Sequence, residues 1–267
     1  IMISQLETGT PYMFYRDTVN RLNSNRHKGM IYCSNLCTEI TQNQSPTTVI
    51  EQRTEDGKII IEKTPGDFVV CNLSSVSLAK AVKDDVLERL ISIQVRMLDN
   101  VIDLNNIPVL QANITNKNYR AIGLGTFGWH HLLALQGIAW ESEKAVEYCD
   151  DLYEEIAYLT IKSSMNLAKE KGAYPYFEGS DWEKGAYFEQ RRYDSDIWNE
   201  LKTDVQTYGI RNGYLMAVAP NSSTAIIAGS TSGIDPIFRR EYSEEKKNYR
   251  IPVTAPDLNL ETMWYYK

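Results

Sequence analysis

Tyr214-Leu215-Met216-Ala217-Val218-Ala219 is an unbroken apolar run, without the alternation of a strand that has one face in water. It predicts a strand buried on both faces, as in an α/β structure. The run ends in Pro220-Asn221-Ser222-Ser223-Thr224 and passes into the helix-compatible Ala225-Ile226-Ile227-Ala228. A helix start rich in small hydroxyl residues offers free N–H and O–H donors to an anion such as a phosphate. The same residues are also ordinary N-caps, so the sequence at this point leaves both readings open. Gly229 to Pro236 then forms a second small-residue loop, able to close over a ligand.

Two long helices precede that strand. From Ala81 to Leu104 the apolar positions Val86, Leu90, Ile93, Met97 and Val101 step by four, three, four and four, which predicts one buried stripe. A second helix is expected from the N-cap Ser142 to Lys171, stopped by Gly172. Cys149 shares its apolar face with Ala145, Leu152, Ile156 and Leu159 and reads as core packing. Gly123-Leu124-Gly125-Thr126-Phe127-Gly128 matches GxGxxG, but the residues before it are polar and the acid at Asp150 falls inside a helix. A dinucleotide site needs a strand before the glycines and an acid ending a second strand, so these glycines read instead as a close backbone approach before a helix Trp129 to Leu135. His130 and His131 are adjacent, which turns their rings about 100° apart on a helix and makes a shared metal unfavourable.

Elsewhere the chain is more irregular. Asp17 to Lys28 reads as a charged connector, and Asp56-Gly57 as the turn of a hairpin returning through Ile59, Ile60 and Ile61. A short strand Phe68-Val69-Val70-Cys71 follows, placing Cys71 at a strand end. Tyr174 to Arg192 is an aromatic-rich, packed surface connection, and a helix capped by Ser195 and stopped by Gly209 comes after it. The net charge of −7 argues against a binder of nucleic-acid backbones. No 18-residue apolar stretch or signal pattern is present, and a cytoplasmic protein is expected. Cys33, Cys37, Cys71 and Cys149 lack the spacing of a zinc site, so no metal is expected on this chain.

The densest chemistry lies in Tyr32-Cys33-Ser34-Asn35-Leu36-Cys37-Thr38-Glu39-Ile40. In an extended segment the amide of Asn35, the thiol of Cys37 and the carboxylate of Glu39 would leave one face together. A hydrogen-bond donor, a sulfur and a base would then face one small molecule.

Ser34-Asn35-Leu36-Cys37-Thr38-Glu39-Ile40, Val70-Cys71-Asn72-Leu73-Ser74-Ser75, the glycine motif through Trp129-His130, and Pro220 to Thr224 with Gly233-Ile234-Asp235-Pro236 stand in the order found in the large, catalytic subunit of ribonucleotide reductase. The chain resembles the middle-to-late barrel of the class I type. That resemblance implies an α/β fold that is part of a ten-stranded α/β barrel, with a central finger loop carrying the radical cysteine, and residues 1–267 as one partial catalytic domain. It implies that Cys37 is the thiyl radical carrier, Glu39 takes the 3′-hydroxyl proton, Asn35 holds the substrate hydroxyls, and Cys71 is half of the redox pair. Asn221, Ser222, Ser223 and Thr224 would bind the substrate diphosphate. No cofactor would be bound by this chain: a metal-containing small subunit would supply the radical, and a thioredoxin- or glutaredoxin-type reductant the electrons.

The resemblance also has gaps. The partner of Cys71, the allosteric nucleotide region, the tyrosine relay and the carboxy-terminal cysteine pair have no counterparts here, and Cys33 is at no family redox position. Two hypotheses follow. The chain is a ribonucleoside-diphosphate reductase fragment, inactive alone, that needs a complementary chain and a small subunit; or it is a non-catalytic, nucleotide-binding remnant. A glycyl-radical enzyme is disfavoured because no radical-glycine loop is recognisable. Unpaired sheet edges of a partial barrel predict an oligomer or pairing with the missing part.

Overall fold

A computed structural model describes residues 1–266. In chain order its elements are α1 Met2–Thr8, α2 Arg16–Arg21, β1 Thr48–Arg53, β2 Ile59–Thr64, β3 Leu73–Ser77, α3 Leu78–Lys83, α4 Leu87–Leu104, α5 Leu110–Tyr119, β4 Gly123–Phe127, α6 Trp129–Leu135, α7 Glu143–Lys171, α8 Ala186–Arg191, α9 Asp196–Tyr208, α10 Ser222–Ala228, β5 Glu241–Lys246 and β6 Tyr249–Thr254, before a 3₁₀ turn Thr262–Trp264. The chain forms two compact units. The first gathers Ile1–Asn72, Asp99–Ile122 and Ser164–Tyr214; the second gathers Leu73–Leu98, Gly123–Ser163 and the segment from Leu215.

The α/β character holds, while the strands form two-stranded sheets and close no barrel among the described residues. In the second unit β3 and β4 pair in parallel, Leu73 opposite Gly123 through Ser77 opposite Phe127. On the other edge of β4 the expected apolar strand is present only as a short parallel bridge: Leu124 donates to the Leu215 carbonyl at 2.8 Å and Ala217 donates to Leu124 at 3.0 Å. Leu215 and Ala217 are buried while Met216 is 39% exposed, so the run alternates rather than burying both faces. The glycine motif is itself β4. A Cβ on Gly125 would lie 2.2 Å from the Ala217 carbonyl oxygen, so only glycine lets these two backbones pair so closely.

The helix expected from Ala81 to Leu104 is broken. Asp85 adopts φ 50°, in the left-handed region, and divides α3 from α4. The buried stripe of α4 is Leu87, Ile91, Val95, Leu98 and Ile102, whereas Ile93, Met97 and Val101 are exposed at 44%, 60% and 44%. Both rows obey helical spacing, and only the neighbours packed against α4 select one. α7 matches its expected bounds: Ser142 Oγ accepts the Ala145 N–H at 3.2 Å, Gly172 turns the chain at φ +83°, and Cys149 lies half-buried on the buried face. Buried Ala134, Ala255 and Tyr266 form a smaller core with Ile237, Leu258 and Tyr265.

In the first unit the hairpin forms as expected around Asp56-Gly57, with Thr48 opposite Thr64 and Arg53 opposite Ile59. The Asp17 to Lys28 stretch is no loose connector. Asn25 is fully buried: its Nδ2 donates to the Gly213 carbonyl at 2.9 Å, and its Oδ1 accepts the Tyr174 hydroxyl at 2.7 Å. Asn43 Nδ2 donates to the Asn25 carbonyl at 2.8 Å and Asn23 Nδ2 to Asn43 Oδ1 at 2.7 Å, so side-chain amides satisfy backbone that has no sheet partner. The aromatic segment is core rather than surface, since Tyr174, Trp182 and Phe188 are each about fully buried and Trp182 stacks on Tyr187 at 3.8 Å.

Candidate active site

Ile31 and Ile40, both buried in the first unit, anchor the ends of the segment that carries Asn35, Cys37 and Glu39. Between them the chain is a turn, not an extended strand: Thr38 donates to the Asn35 carbonyl at 3.2 Å and takes φ 67°. Asn35 closes this turn with its own side chain, its Oδ1 accepting the Ile40 N–H at 3.0 Å. The turn presents Cys37 to solvent with Leu36 86% exposed at its tip.

The approach to the turn is held by two amides that sequence reasoning did not single out. Asn20 pairs with Ile31, donating from Nδ2 to its carbonyl at 2.8 Å and accepting its N–H at 2.9 Å. Gln44 Oε1 accepts the Tyr32 and Cys33 N–H groups at 3.3 and 3.1 Å and the Cys33 thiol at 3.4 Å, while Gln44 Nε2 donates to the Cys33 carbonyl at 3.1 Å. Cys33, at no family redox position, is a partner in this clasp. No local pattern marks such residues, because their partners, mostly backbone atoms, lie 11 or 12 positions away.

Cys71 does not end a strand. Phe68 donates its N–H to Thr115 Oγ1 at 2.8 Å, and β3 starts only at Leu73, after the cysteine. Cys71 nevertheless meets the turn, with Asn35 Nδ2 at 3.9 Å from its sulfur. Burial pushes the Cys71 thiol above its ordinary pKa, the nearby negative charge of Glu39 adds to the rise and Cys37 contributes to it, against the opposing hydrogen bond from Asn35. At neutral pH Cys71 is thus a thiol rather than a ready thiolate. Glu39 Oε2 is buried without a hydrogen-bond partner among the described residues, a carboxylate oxygen left available. Asn35, Cys37, Glu39 and Cys71 therefore form one cluster. Cys71 also borders a 330 Å³ cavity with Asn72, Asn105, Asn106 and Asn116.

Asn221, Ser222, Ser223 and Thr224 lie in the second unit. Asn221 sits at φ 54° as the N-cap of α10, but its side chain does not cap the helix. Its Nδ2 donates instead to Ser75 Oγ at 3.0 Å and to the Ala219 carbonyl at 2.8 Å, so Ser75 of β3 fixes the turn. Ser222, Ser223 and Thr224 are exposed at the helix start, where the Asn221 side chain takes up none of the first N–H groups. Among the described residues no three His, Cys, Asp or Glu side chains gather as a metal site, and no helix is long and apolar enough to cross a membrane. His130 and His131 are both buried and hydrogen-bonded to separate partners.

A family model described as "Ribonucleotide reductase, barrel domain" matches residues 1–265. Across its whole length the chain is 52% identical to the ribonucleoside-diphosphate reductase subunit alpha of Treponema pallidum, covering 32% of that protein. It is 37% identical to the subunit alpha of Helicobacter pylori, covering 40% of it. Over 97% of the chain it is 33% identical to the ribonucleoside-diphosphate reductase large subunit of Monkeypox virus, covering 32%. The chain thus spans about a third of the length of these curated relatives.

Proposed function

The chain belongs to the ribonucleotide reductase family through its barrel domain, and from that premise we propose that it is the catalytic portion of a ribonucleoside-diphosphate reductase alpha subunit. Residues 1–267 are one partial domain of a ten-stranded α/β barrel, and the Asn35–Thr38 turn is its finger loop. With the remainder of the subunit it converts ribonucleotides to deoxyribonucleotides for DNA synthesis in the cytoplasm.

Cys37, as a thiyl radical, removes the 3′ hydrogen of the ribose, and Glu39 accepts the 3′-hydroxyl proton while Asn35 holds the hydroxyls. The 2′-hydroxyl leaves as water. Cys71 and a second thiol supply two hydrogens and become a disulfide, and Cys37 returns the 3′ hydrogen, recovering its radical. A thioredoxin- or glutaredoxin-type dithiol reduces that disulfide, and a metal-containing small subunit generates the radical. The N–H and hydroxyl groups of Asn221 to Thr224 receive the substrate diphosphate. The observation that carries this reading is the clustering of Asn35, Cys37, Glu39 and Cys71, with Asn35 Nδ2 3.9 Å from the Cys71 sulfur and Glu39 and Cys37 close enough to raise its pKa.

The experiment is nucleoside-diphosphate reduction by this chain with a class I small subunit and dithiothreitol, with and without a complementary large-subunit fragment. Activity in the reconstituted mixture, abolished by Cys37→Ser, is expected. No turnover despite a demonstrated complex would instead favour a non-catalytic, nucleotide-binding remnant.

A further inference from the structure

His131, in the second unit, stands at the middle of a hydrogen-bonded chain. Its Nε2 is 2.9 Å from Asp257 Oδ2 and its Nδ1 is 3.0 Å from Ser230 Oγ. The ring is buried while the Asp257 side chain is 64% exposed, so the carboxylate is hydrated and the imidazole is not. Burial holds the His131 pKa below its ordinary value, against the pull of Asp257 and with a small contribution from Lys80. The neutral ring then donates from Nε2 to Asp257 and accepts the Ser230 hydroxyl at Nδ1, each bond selecting the tautomer the other needs.

Ser230 opens the loop that leaves α10, and the start of α6 grips that loop through further hydrogen bonds. Gly128 donates its N–H to the Gly233 carbonyl at 3.1 Å, and His131 donates its own N–H to Thr231 Oγ1 at 3.2 Å. Gly128 also admits the serine: a Cβ there would lie 2.3 Å from Ser230 Oγ. The far end of the loop abuts the turn that begins α10, because a Cβ on Gly233 would meet the Ala219 and Pro220 carbonyls at 3.6 and 3.5 Å. α10 is thus bracketed, its first residues by the 219–221 turn and its last by a loop that folds back on that turn.

We propose that His131 is a positioning residue for the phosphate-binding turn, setting the start of α10 through Ser230 and the 230–233 loop, with Asp257 orienting the imidazole. This rests on the reading of Asn221 to Thr224 as the diphosphate site. His131 touches no substrate; its effect passes through backbone, so it should govern how well the phosphates are held rather than the chemistry at Cys37.

The test is binding of inorganic diphosphate to this chain by calorimetry, together with amide hydrogen exchange at Gly128 and Ser230. The variants are Ser230→Ala, His131→Phe and Asp257→Asn. Ser230→Ala removes one hydroxyl and keeps the buried imidazole, which guards against a His131→Phe chain that does not fold. Loss of a net hydrogen bond corresponds to roughly five- to tenfold. Ser230→Ala and His131→Phe are therefore expected to bind diphosphate about tenfold more weakly with faster exchange at both amides, while Asp257→Asn, which keeps an acceptor for Nε2, stays near wild type. In a reconstituted reductase the same variants should raise KM and spare kcat. Wild-type affinity in Ser230→Ala would overturn the proposal and leave the phosphate site standing. A wild-type chain that binds no diphosphate would overturn the site itself, and the proposal with it.

Discussion

At the scale of single residues, the chemistry of the cluster is set by what surrounds each atom. Cys71 is held above the ordinary thiol range chiefly by burial and then by Glu39, so its alkylation by iodoacetamide should reach half its limiting rate at a higher pH than that of a free cysteine. Glu39→Gln removes the charge and should move that midpoint down; an unmoved midpoint would separate Glu39 from Cys71. Gly125 offers a second test. Alanine there would drive a methyl into the Ala217 carbonyl, which is backbone and cannot step aside, so Gly125→Ala should cost about 3 kcal/mol and lower the thermal midpoint. Asn35, Cys37, Glu39 and Cys71 were all legible in the sequence as residue types, but the turn that gathers them was not. Spacing by two suggests an extended strand; the Asn35 side chain, by accepting the Ile40 N–H, closes a turn instead.

At the scale of elements, buried polar groups fix where helices meet. Asp99, fully buried on α4, accepts from Arg120 Nε at 2.9 Å, from Asn212 Nδ2 at 3.1 Å and from Arg211 Nε at 3.3 Å, and lies 3.4 Å from Lys171 Nζ. Asp99→Ala would take the acceptor from the buried Arg120 Nε and Asn212 amide, although Arg120 keeps Asp103, and should cost about 3 kcal/mol in urea unfolding, whereas loss of the exposed Lys58–Asp56 pair should cost under about 1 kcal/mol. The helix α6 predicts a pH response. Burial lowers the pKa of both His130 and His131, so the folded chain binds fewer protons than the unfolded one once pH falls below about 6.5. Their contribution is present above that pH and is lost as pH drops through the folded values. The thermal midpoint should therefore fall between pH 7 and 5, and His131→Gln should flatten the fall. The bounds of α7 were readable because Ser142 and Gly172 act locally; the buried row of α4 was not, because two apolar rows fit its period equally well.

For the whole molecule, the hairpin β1–β2 leaves Val49, Ile50, Ile59, Ile60 and Ile61 exposed, with outer edges that pair with no other strand among the described residues. Such surface favours association. Sedimentation of the chain should show self-association or capture of a complementary large-subunit fragment, weakened by Ile60→Lys with Ile61→Lys; a strictly monomeric chain that ignores the fragment would count against it. The sequence by itself determined the α/β class, the long helix and its caps, the hairpin turn and the ordered motifs of a reductase barrel, because each rests on neighbours within a few residues. Only the tertiary structure decided that Cys71 meets Asn35, that Gln44 and Asn20 hold the approach to the turn, and that His131 grips Ser230 and Asp257. Those contacts join residues 11 to 126 positions apart, and hydrogen bonds and burial at such separations depend on how the chain packs, which no local pattern encodes.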